Sequence, residues 1–248
     1  LSLGFNASNQ IFVKRGGWNG TVLGTASGAL PVAAWSYVEV KLTIHDTAGA
    51  VEVRVNGVPV LLLADVDTRQ GGSLGKITNV RIGGNLFSYS AGYDDLYVCD
   101  TSGAHNNDFL GDVRIDVLVP NGLGTYQDWA PSTGTDHAAL VDETTPNTTD
   151  YLTGATPGAR ETLTLGDLPA PGSVAAVQVC NYLAKTDAGA AKTRNLIRSG
   201  TTDTYGPEVA LSTSYVYNLS VHETDPATGN AWSTAAVNAL EVGVEVTQ

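Results

Sequence analysis

Apolar and polar residues alternate along much of the chain with the two-residue period of β-strands. The alternation is clearest in residues 38–44 and 51–55. Successive side chains of a strand lie on opposite faces, so this pattern is typical of strands with one face in a core and one in solvent. Only residues 233–240 are predicted to form a helix, a short one with Ser233 as its N-terminal cap. The pattern therefore predicts an all-β protein.

Turn residues and strand spacing extend this prediction. Asn56 and Gly57 separate two apolar runs, and this pair tolerates the positive φ angles of a two-residue hairpin turn. We therefore expect residues 51–55 to pair with residues 58–63. Many short strands separated by turns are typical of β-sandwiches. Further strands are predicted at residues 77–83, 93–99, 112–120, 160–165, 173–184, 192–199, 214–222 and 241–246.

A polar connector divides the predicted strands into two groups. Its residues are mostly Asp, Thr, Ser, Gly, Asn and His, which have little to bury. We place a linker at residues 102–111, between a first β-sandwich at residues 1–101 and a second at residues 112–248. A chain of 248 residues is long enough for two jelly-roll-like domains that each bury a core. Residues 123–159 of the second domain are predicted to form a long surface loop.

The composition adds two expectations. The chain begins at Leu1 and contains no methionine, so we expect the first domain to be incomplete at its N-terminus. The two cysteines, Cys99 and Cys180, lie on apolar runs in different predicted domains. This placement favours two buried free thiols over a disulfide or a metal site.

Charge is distributed unevenly between the two halves. The net charge is −12, and residues 101–248 carry 17 acidic and 6 basic side chains, against 8 and 7 in residues 1–100. Nucleic-acid-binding proteins present clustered Lys and Arg, so we expect no nucleic-acid partner. No apolar run reaches the length of about 18 residues that a membrane-spanning helix needs. The N-terminus also lacks the features of a secretory signal, so we expect no membrane partner.

The order of elements in residues 35–99 resembles a known fold. Trp35 precedes a strand, which is followed by a D-x-x-G turn, an alternating strand, Asn56-Gly57, an apolar strand and the sequence Y-D-D-L-Y-V. This order is similar to the C-terminal half of a concanavalin-A-like, or laminin-G-like, jelly roll. The resemblance implies that the first domain has this fold.

A longer resemblance covers residues 35–248. The matching elements are Asp94–Val98, Asn107–Arg114, Ala176–Val179, Asp187–Gly189 and Asp225–Trp232. Their combination is similar to a group of tailed-bacteriophage virion or tail-associated proteins, in which a jelly roll precedes a second β-sandwich. The resemblance carries no known catalytic or ligand-binding residue.

The resemblance to phage proteins implies a function. We expect a non-enzymatic structural component at the surface of a phage particle, exposed on capsid or tail as a decoration, fibre or adhesion protein. Its partners are then other virion proteins and further copies of the chain, because virion parts occupy repeated positions. We predict a trimer.

Two alternative functions remain open at this point. One is a carbohydrate-binding module that recognises host-surface glycan, and the other is a glycan depolymerase. Trp18, Trp129 and Tyr151 are the candidate glycan-binding residues, because aromatic rings bury the apolar face of a sugar. The competing interpretation of each ring is burial in a core. Asp94 and Asp95 are not expected to form a catalytic carboxylate pair, because adjacent residues of a strand point to opposite faces.

A hydrolase-like motif and a group of acidic residues each have a simpler interpretation. Gly71 to Gly75 match the G-x-S-x-G motif of hydrolases, but no helix is predicted after Ser73, so a loop is favoured. Calcium is the one cofactor considered, because hard oxygen ligands accumulate near the predicted linker. The solvated interpretation of these acidic residues is favoured over a bound ion. The candidate calcium ligands are Asp94, Asp100, Asp108 and Asp112.

Overall fold

The chain folds almost entirely into β-structure. Strands comprise 41% and helices 3% of it, in several antiparallel sheets, so the predicted all-β sandwich fold is confirmed. The chain divides into two compact units, Leu1–Ile115 and Asp116–Gln248. Among the described residues, no helix has the length and apolar character that crossing a membrane requires. The computed structural model describes residues 1–17, 19–71, 75–77, 79–82, 92–170 and 172–248.

The first unit contains two three-stranded antiparallel sheets, with strand orders β1-β2-β3 and β4-β5-β6. The predicted hairpin is confirmed, because β5 pairs with β6 across Asn56 and Gly57, whose φ angles are 49° and 78°. The strands are β1 (Ser2–Phe5), β2 (Gln10–Arg15), β3 (Thr21–Ala29), β4 (Val38–Thr43), β5 (Gly49–Val55) and β6 (Val58–Val66).

The core of the first unit lies between these two sheets. Ile11 and Val13 of β2 are buried together with Val51 and Val53 of β5. Each pair is separated by two positions, so the members of a pair lie on the same face of their strand. Burying such apolar surface is the main favourable contribution to folding, and it holds the two sheets together face to face.

The second unit is built around a six-stranded antiparallel sheet. Its main path has the order β13-β12-β16-β10-β7, and β14 also pairs with β12. Two smaller pairs, β11-β15 and β8-β9, form separate sheets. The strands are β7 (Pro120–Gln127), β8 (Ala130–Pro131), β9 (Leu152–Thr153), β10 (Arg160–Leu165), β11 (Val177–Leu183), β12 (Lys192–Ser199), β13 (Thr202–Tyr205), β14 (Val209–Ala210), β15 (Val216–His222) and β16 (Glu241–Val246).

The predicted helix packs into the core of the second unit. It spans Thr234–Asn238 (α1), and the Ser233 side chain accepts a hydrogen bond from the N–H of Ala236, which confirms the predicted cap. The core contains Val179, Ile197, Trp232, Val237 and Leu240. A short 3₁₀ helix also occurs at Ala138–Leu140.

The strands predicted near the middle of the chain are wrong. Residues 93–99 and 112–119 are not in strands, nor are the described residues of 77–83; residues 78 and 83 lie outside the described part. The N–H groups of Leu110, Gly111 and Ile115 donate to side-chain oxygens instead of to a neighbouring strand. Alternation alone does not reveal whether a partner strand is present, so the pattern was misleading here.

The long loop predicted at residues 123–159 is also partly wrong. β7 occupies its first residues, and Pro120 begins this strand, although we expected it to end one. β7 lies at the edge of its sheet and pairs only with β10 among the described residues. Proline is tolerated at the first position of an edge strand, where its missing N–H is not needed. Gly122 and Gly124 lower the apolar content of the strand and obscured it.

The environment predicted for the cysteines is wrong as well. Cys99 and Cys180 are free thiols, but both are exposed. Cys99 lies in residues 92–115, which form no strand or helix and are hereafter called the irregular segment, and its thiol contacts the carbonyl oxygen of Asp108. Cys180 lies on the outward face of β11. An apolar sequence context therefore did not indicate burial at either position.

Candidate functional site

A buried carboxylate holds the irregular segment of the first unit against β4. Glu39 is almost fully buried, and its Oε1 accepts hydrogen bonds from the Tyr97 hydroxyl at 2.6 Å and from the Gly111 N–H at 3.0 Å. The Tyr97 oxygen in turn accepts from the Leu110 N–H at 3.2 Å. Burial, and then the hydrogen bond to Glu39, raise the pKa of Tyr97. Its hydroxyl therefore stays protonated and donates to the carboxylate.

A cavity of about 320 Å³ lies beside this junction. It is bounded by the residues before β4, by the β5-β6 turn and by two parts of the irregular segment. The Asn56 side-chain oxygen accepts from the Tyr37 N–H at 2.9 Å, which fixes the turn against the residues before β4. The cavity is lined by Trp35, Ser36, Tyr37, Asn56, Asp94, Asp95 and Asp112.

Two neighbouring aspartates, Asp94 and Asp95, line this one cavity, although they were predicted to lie on opposite faces of a strand. Asp95 has a φ of 51°, in the left-handed region, and the segment is not a strand. An Asp94 oxygen accepts from the Asp95 N–H at 2.9 Å, and an Asp95 oxygen accepts from the Ile115 N–H at 2.8 Å. The two-residue period of a strand therefore does not apply here.

An exposed indole forms another wall of the cavity. Trp35 is 73% exposed. A Cβ added at Gly92 would lie 3.0 Å from the Cη2 atom of this ring, so the absence of a side chain there leaves room for the indole. Sequence analysis identified Trp35 only as the residue before a strand. The exposure of its side chain could not be predicted, because no periodicity in the sequence indicates it.

A second feature is the two-stranded pair β11-β15 of the second unit, hereafter the ribbon. Its outward residues are apolar or uncharged and largely exposed; Leu219, for example, is 53% exposed. The Tyr182 ring lies 4.7 Å from that of Tyr217 and 5.0 Å from that of Tyr215. The ribbon outer face comprises Gln178, Cys180, Tyr182, Tyr217, Leu219 and Val221.

The inward face of the ribbon carries both apolar and polar side chains, and Val179 on this face belongs to the core. Asn195 of β12 is fully buried, and its Nδ2 lies 3.2 Å from the Val179 oxygen, 3.1 Å from the Asn218 oxygen and 3.2 Å from the Ser220 Oγ. Its Oδ1 accepts from Asn181 Nδ2 at 2.9 Å. The ribbon thus buries a polar network beside apolar core residues, and its outer face exposes mostly apolar side chains.

No protein-family model, curated protein or solved structure matches the chain.

Two of the three predicted glycan-binding residues, Trp129 and Tyr151, lie in the described part of the chain. Trp129 is only 9% exposed and packs with Val244 and Val246 in the core of the second unit. Tyr151 is exposed in the same unit. Trp18 lies outside the described residues. For Trp129, the competing interpretation as a core residue is therefore confirmed.

The candidate calcium ligands divide into two sets. Asp94 and Asp112 line the cavity. Asp100 accepts from the N–H and hydroxyl of Ser102, and Asp108 accepts from Lys41 at 2.8 Å. Within the described ranges, no group of three or more His, Cys, Asp or Glu side chains is arranged to hold a metal ion. Residues 72–74 of the G-x-S-x-G motif lie outside the described part.

Proposed function

We propose that the protein is a non-enzymatic structural component of a bacteriophage virion, exposed on capsid or tail as a decoration, fibre or adhesion protein. The resemblance of residues 35–248 to phage virion proteins motivates the proposal. The observation that carries it is the ribbon outer face, an exposed apolar surface on an otherwise acidic unit. Contiguous exposed apolar surface of this kind is typical of interaction sites.

The occupant of this face is a second copy of the chain. Residues 101–248 carry 17 acidic and 6 basic side chains, so two copies repel each other over most of this region. The ribbon outer face has no charged residue, so two copies approach each other there with less electrostatic repulsion. In the described part of the chain, β11 and β15 pair only with each other, so each has a free edge for backbone hydrogen bonds.

The expected assembly is a closed oligomer, which we take to be a trimer. A stable interface buries about 800 Å² per partner. The exposed side chains of Tyr217, Leu219 and Val221 supply only part of this area. Strand edges and neighbouring virion proteins therefore complete the contact. Copies repeated around a symmetry axis fit a position on a capsid or tail.

Location in a particle is the direct test of the proposal. Cryo-electron microscopy of purified native particles is expected to show this chain at repeated symmetry positions on the capsid or tail surface. Its two β units should pack against other virion proteins or further copies. A particle preparation that lacks the chain, with the protein recovered instead as a free monomer, contradicts the proposal.

The Leu219→Glu variant tests the assembly surface. It places a charge at the centre of the ribbon outer face without entering the core, and it should convert the oligomer to monomers. Light scattering of the wild-type protein should give about three times the 25.7 kDa chain mass. Val22→Glu is the matched control, because Val22 is a strand residue of the first unit with nearly equal exposure.

Two results contradict this assembly. One is a monomeric wild-type protein at micromolar concentration, and the other is an unchanged oligomer in Leu219→Glu. Circular dichroism of both variants shows whether the fold is retained.

A second candidate function is the binding of host-surface glycan. The cavity of the first unit favours it, with an exposed indole beside carboxylates and an amide. The residues involved differ from Trp18, Trp129 and Tyr151. No specific observation favours a depolymerase.

A further inference from the structure

The cavity at Trp35 carries an unbalanced negative charge. Three aspartates line it, Asp94, Asp95 and Asp112, and no Lys, Arg or His is among its described lining residues. Carboxylates close together in a concave site focus a negative potential, which attracts a cation. We therefore expect the cavity to bind a positively charged group.

The same carboxylates need hydrogen-bond donors. Ionised carboxylates only accept hydrogen bonds, so a ligand that satisfies several of them must offer several donors. A quaternary ammonium group has a charge but no N–H donor. A sugar carrying an ammonium group offers three N–H donors and, in addition, its hydroxyl groups.

The indole adds an apolar surface to this charged site. Trp35 is largely exposed, and its ring has space against Gly92. A Trp face attracts both cations and the C–H face of a sugar ring. Exposed indole without a partner leaves a large apolar area in water, and a stacked sugar removes that area from solvent.

Asn56 also lines the cavity and contributes a side-chain amide, whose oxygen already accepts from the Tyr37 N–H. Ser36 lines the cavity too, but its Oγ is buried and is not accessible to a ligand there.

We propose that this cavity binds an amino sugar, a pyranose ring that carries a free ammonium group. Trp35 stacks on the ring, and the three carboxylates accept from the ammonium and hydroxyl groups. The cavity volume of about 320 Å³ is at the small end of the range for ligand sites, so it holds a single sugar ring of a longer glycan. This inference rests on the glycan-binding alternative and not on the virion proposal.

Isothermal titration calorimetry of the full chain tests the proposal with three probes: the glucosamine trimer, the N-acetylglucosamine trimer and choline. We expect the glucosamine trimer to bind, and the other two probes to bind at least tenfold more weakly. Trp35→Ala and Asp112→Asn should each weaken binding of the glucosamine trimer at least tenfold. Trp35→Phe keeps a ring and should retain part of the affinity.

Two control variants separate the site from general effects. Asp100→Asn removes one nearby charge outside the cavity, and Tyr151→Ala removes an exposed aromatic ring of the second unit; neither should change binding. Thermal melting confirms that each variant is folded.

Several outcomes overturn the amino-sugar site. Equal binding of the N-acetylated trimer indicates a neutral sugar site, and equal binding of choline indicates a quaternary-ammonium site. Absence of binding, or binding that is unchanged in Trp35→Ala, removes the site altogether. None of these results affects the location of the chain in a particle, which is measured separately.

Discussion

Replacing Gly243 with alanine is expected to destabilise the second unit severely. Gly243 lies in β16, opposite Thr162 of β10. An added Cβ would overlap the carbonyl oxygen of Glu161 and would lie 3.0 Å from the Thr162 Cα. Both are backbone atoms of a neighbouring strand, so a change of side-chain rotamer does not relieve the overlap.

The expected loss is large because β16 is a central strand. It pairs with β10 on one side and with β12 on the other, so a displacement disturbs two ladders. Overpacking of a core costs about 1–3 kcal/mol, and we expect a loss of about 3 kcal/mol or more. Domains of this size are stable by only about 5–15 kcal/mol. Chemical denaturation followed by circular dichroism measures the difference.

Gly166→Ala is the matched control for this prediction. Gly166 lies in the same unit, with no atom within 4 Å of the added Cβ and without a positive φ. Its replacement should change the free energy of unfolding by less than about 1 kcal/mol. Equal effects of the two substitutions, or a fully stable Gly243→Ala protein, contradict the structural explanation.

Asn195→Asp is expected to loosen the ribbon from the main sheet. The substitution keeps the shape of the side chain but replaces the donor group with a carboxylate oxygen. That oxygen then faces the carbonyl oxygens of Val179 and Asn218 in a fully buried site. A buried group that loses its hydrogen bonds costs about 1–3 kcal/mol, and a charged group costs more. We expect a loss of at least about 3 kcal/mol at pH 7.

The pH dependence of this variant identifies the cause. Burial favours the protonated form, so the pKa of the new carboxyl group is higher in the folded state than in the unfolded state. Its penalty therefore grows as pH rises above the unfolded value of about 3.9 and shrinks as pH falls towards it. Denaturation at pH 4.5 and pH 7 should show a smaller difference from the wild-type protein at pH 4.5.

Asn121→Asp provides the comparison. Asn121 is exposed, and its side-chain oxygen accepts from Thr164, a role that a carboxylate also fills. Its effect should stay below about 0.5 kcal/mol at both pH values. A pH-independent loss in Asn195→Asp points to lost packing and contradicts the buried-charge explanation.

Local sequence signals predicted the structure correctly where neighbouring residues alone determine it. The Asn56-Gly57 turn and the Ser233 cap depend on neighbouring residues alone, and both were predicted correctly. The strands at 160–165, 192–199 and 241–246 were also predicted with the bounds that the structure has.

The remaining features depend on contacts between distant residues. Tyr97 lies in an alternating segment, but its hydroxyl bonds to Glu39, 58 positions earlier in the chain, and no strand forms there. The cavity needs the left-handed backbone of Asp95, which alternation does not predict. The two strands of the ribbon were predicted approximately, but the sequence pattern does not show which of their faces lies inward.

The edge strand β7 has a consequence for the number of copies in an assembly. It begins with Pro120 and contains two glycines, and proline and short side chains make an edge a poor template for another strand. Copies that join through both ends of their main sheets would grow without limit into filaments. Because the β7 end of the main sheet resists such joining, copies do not extend this sheet into a filament. The proposed contact through the ribbon is then expected to give an assembly with a finite number of subunits.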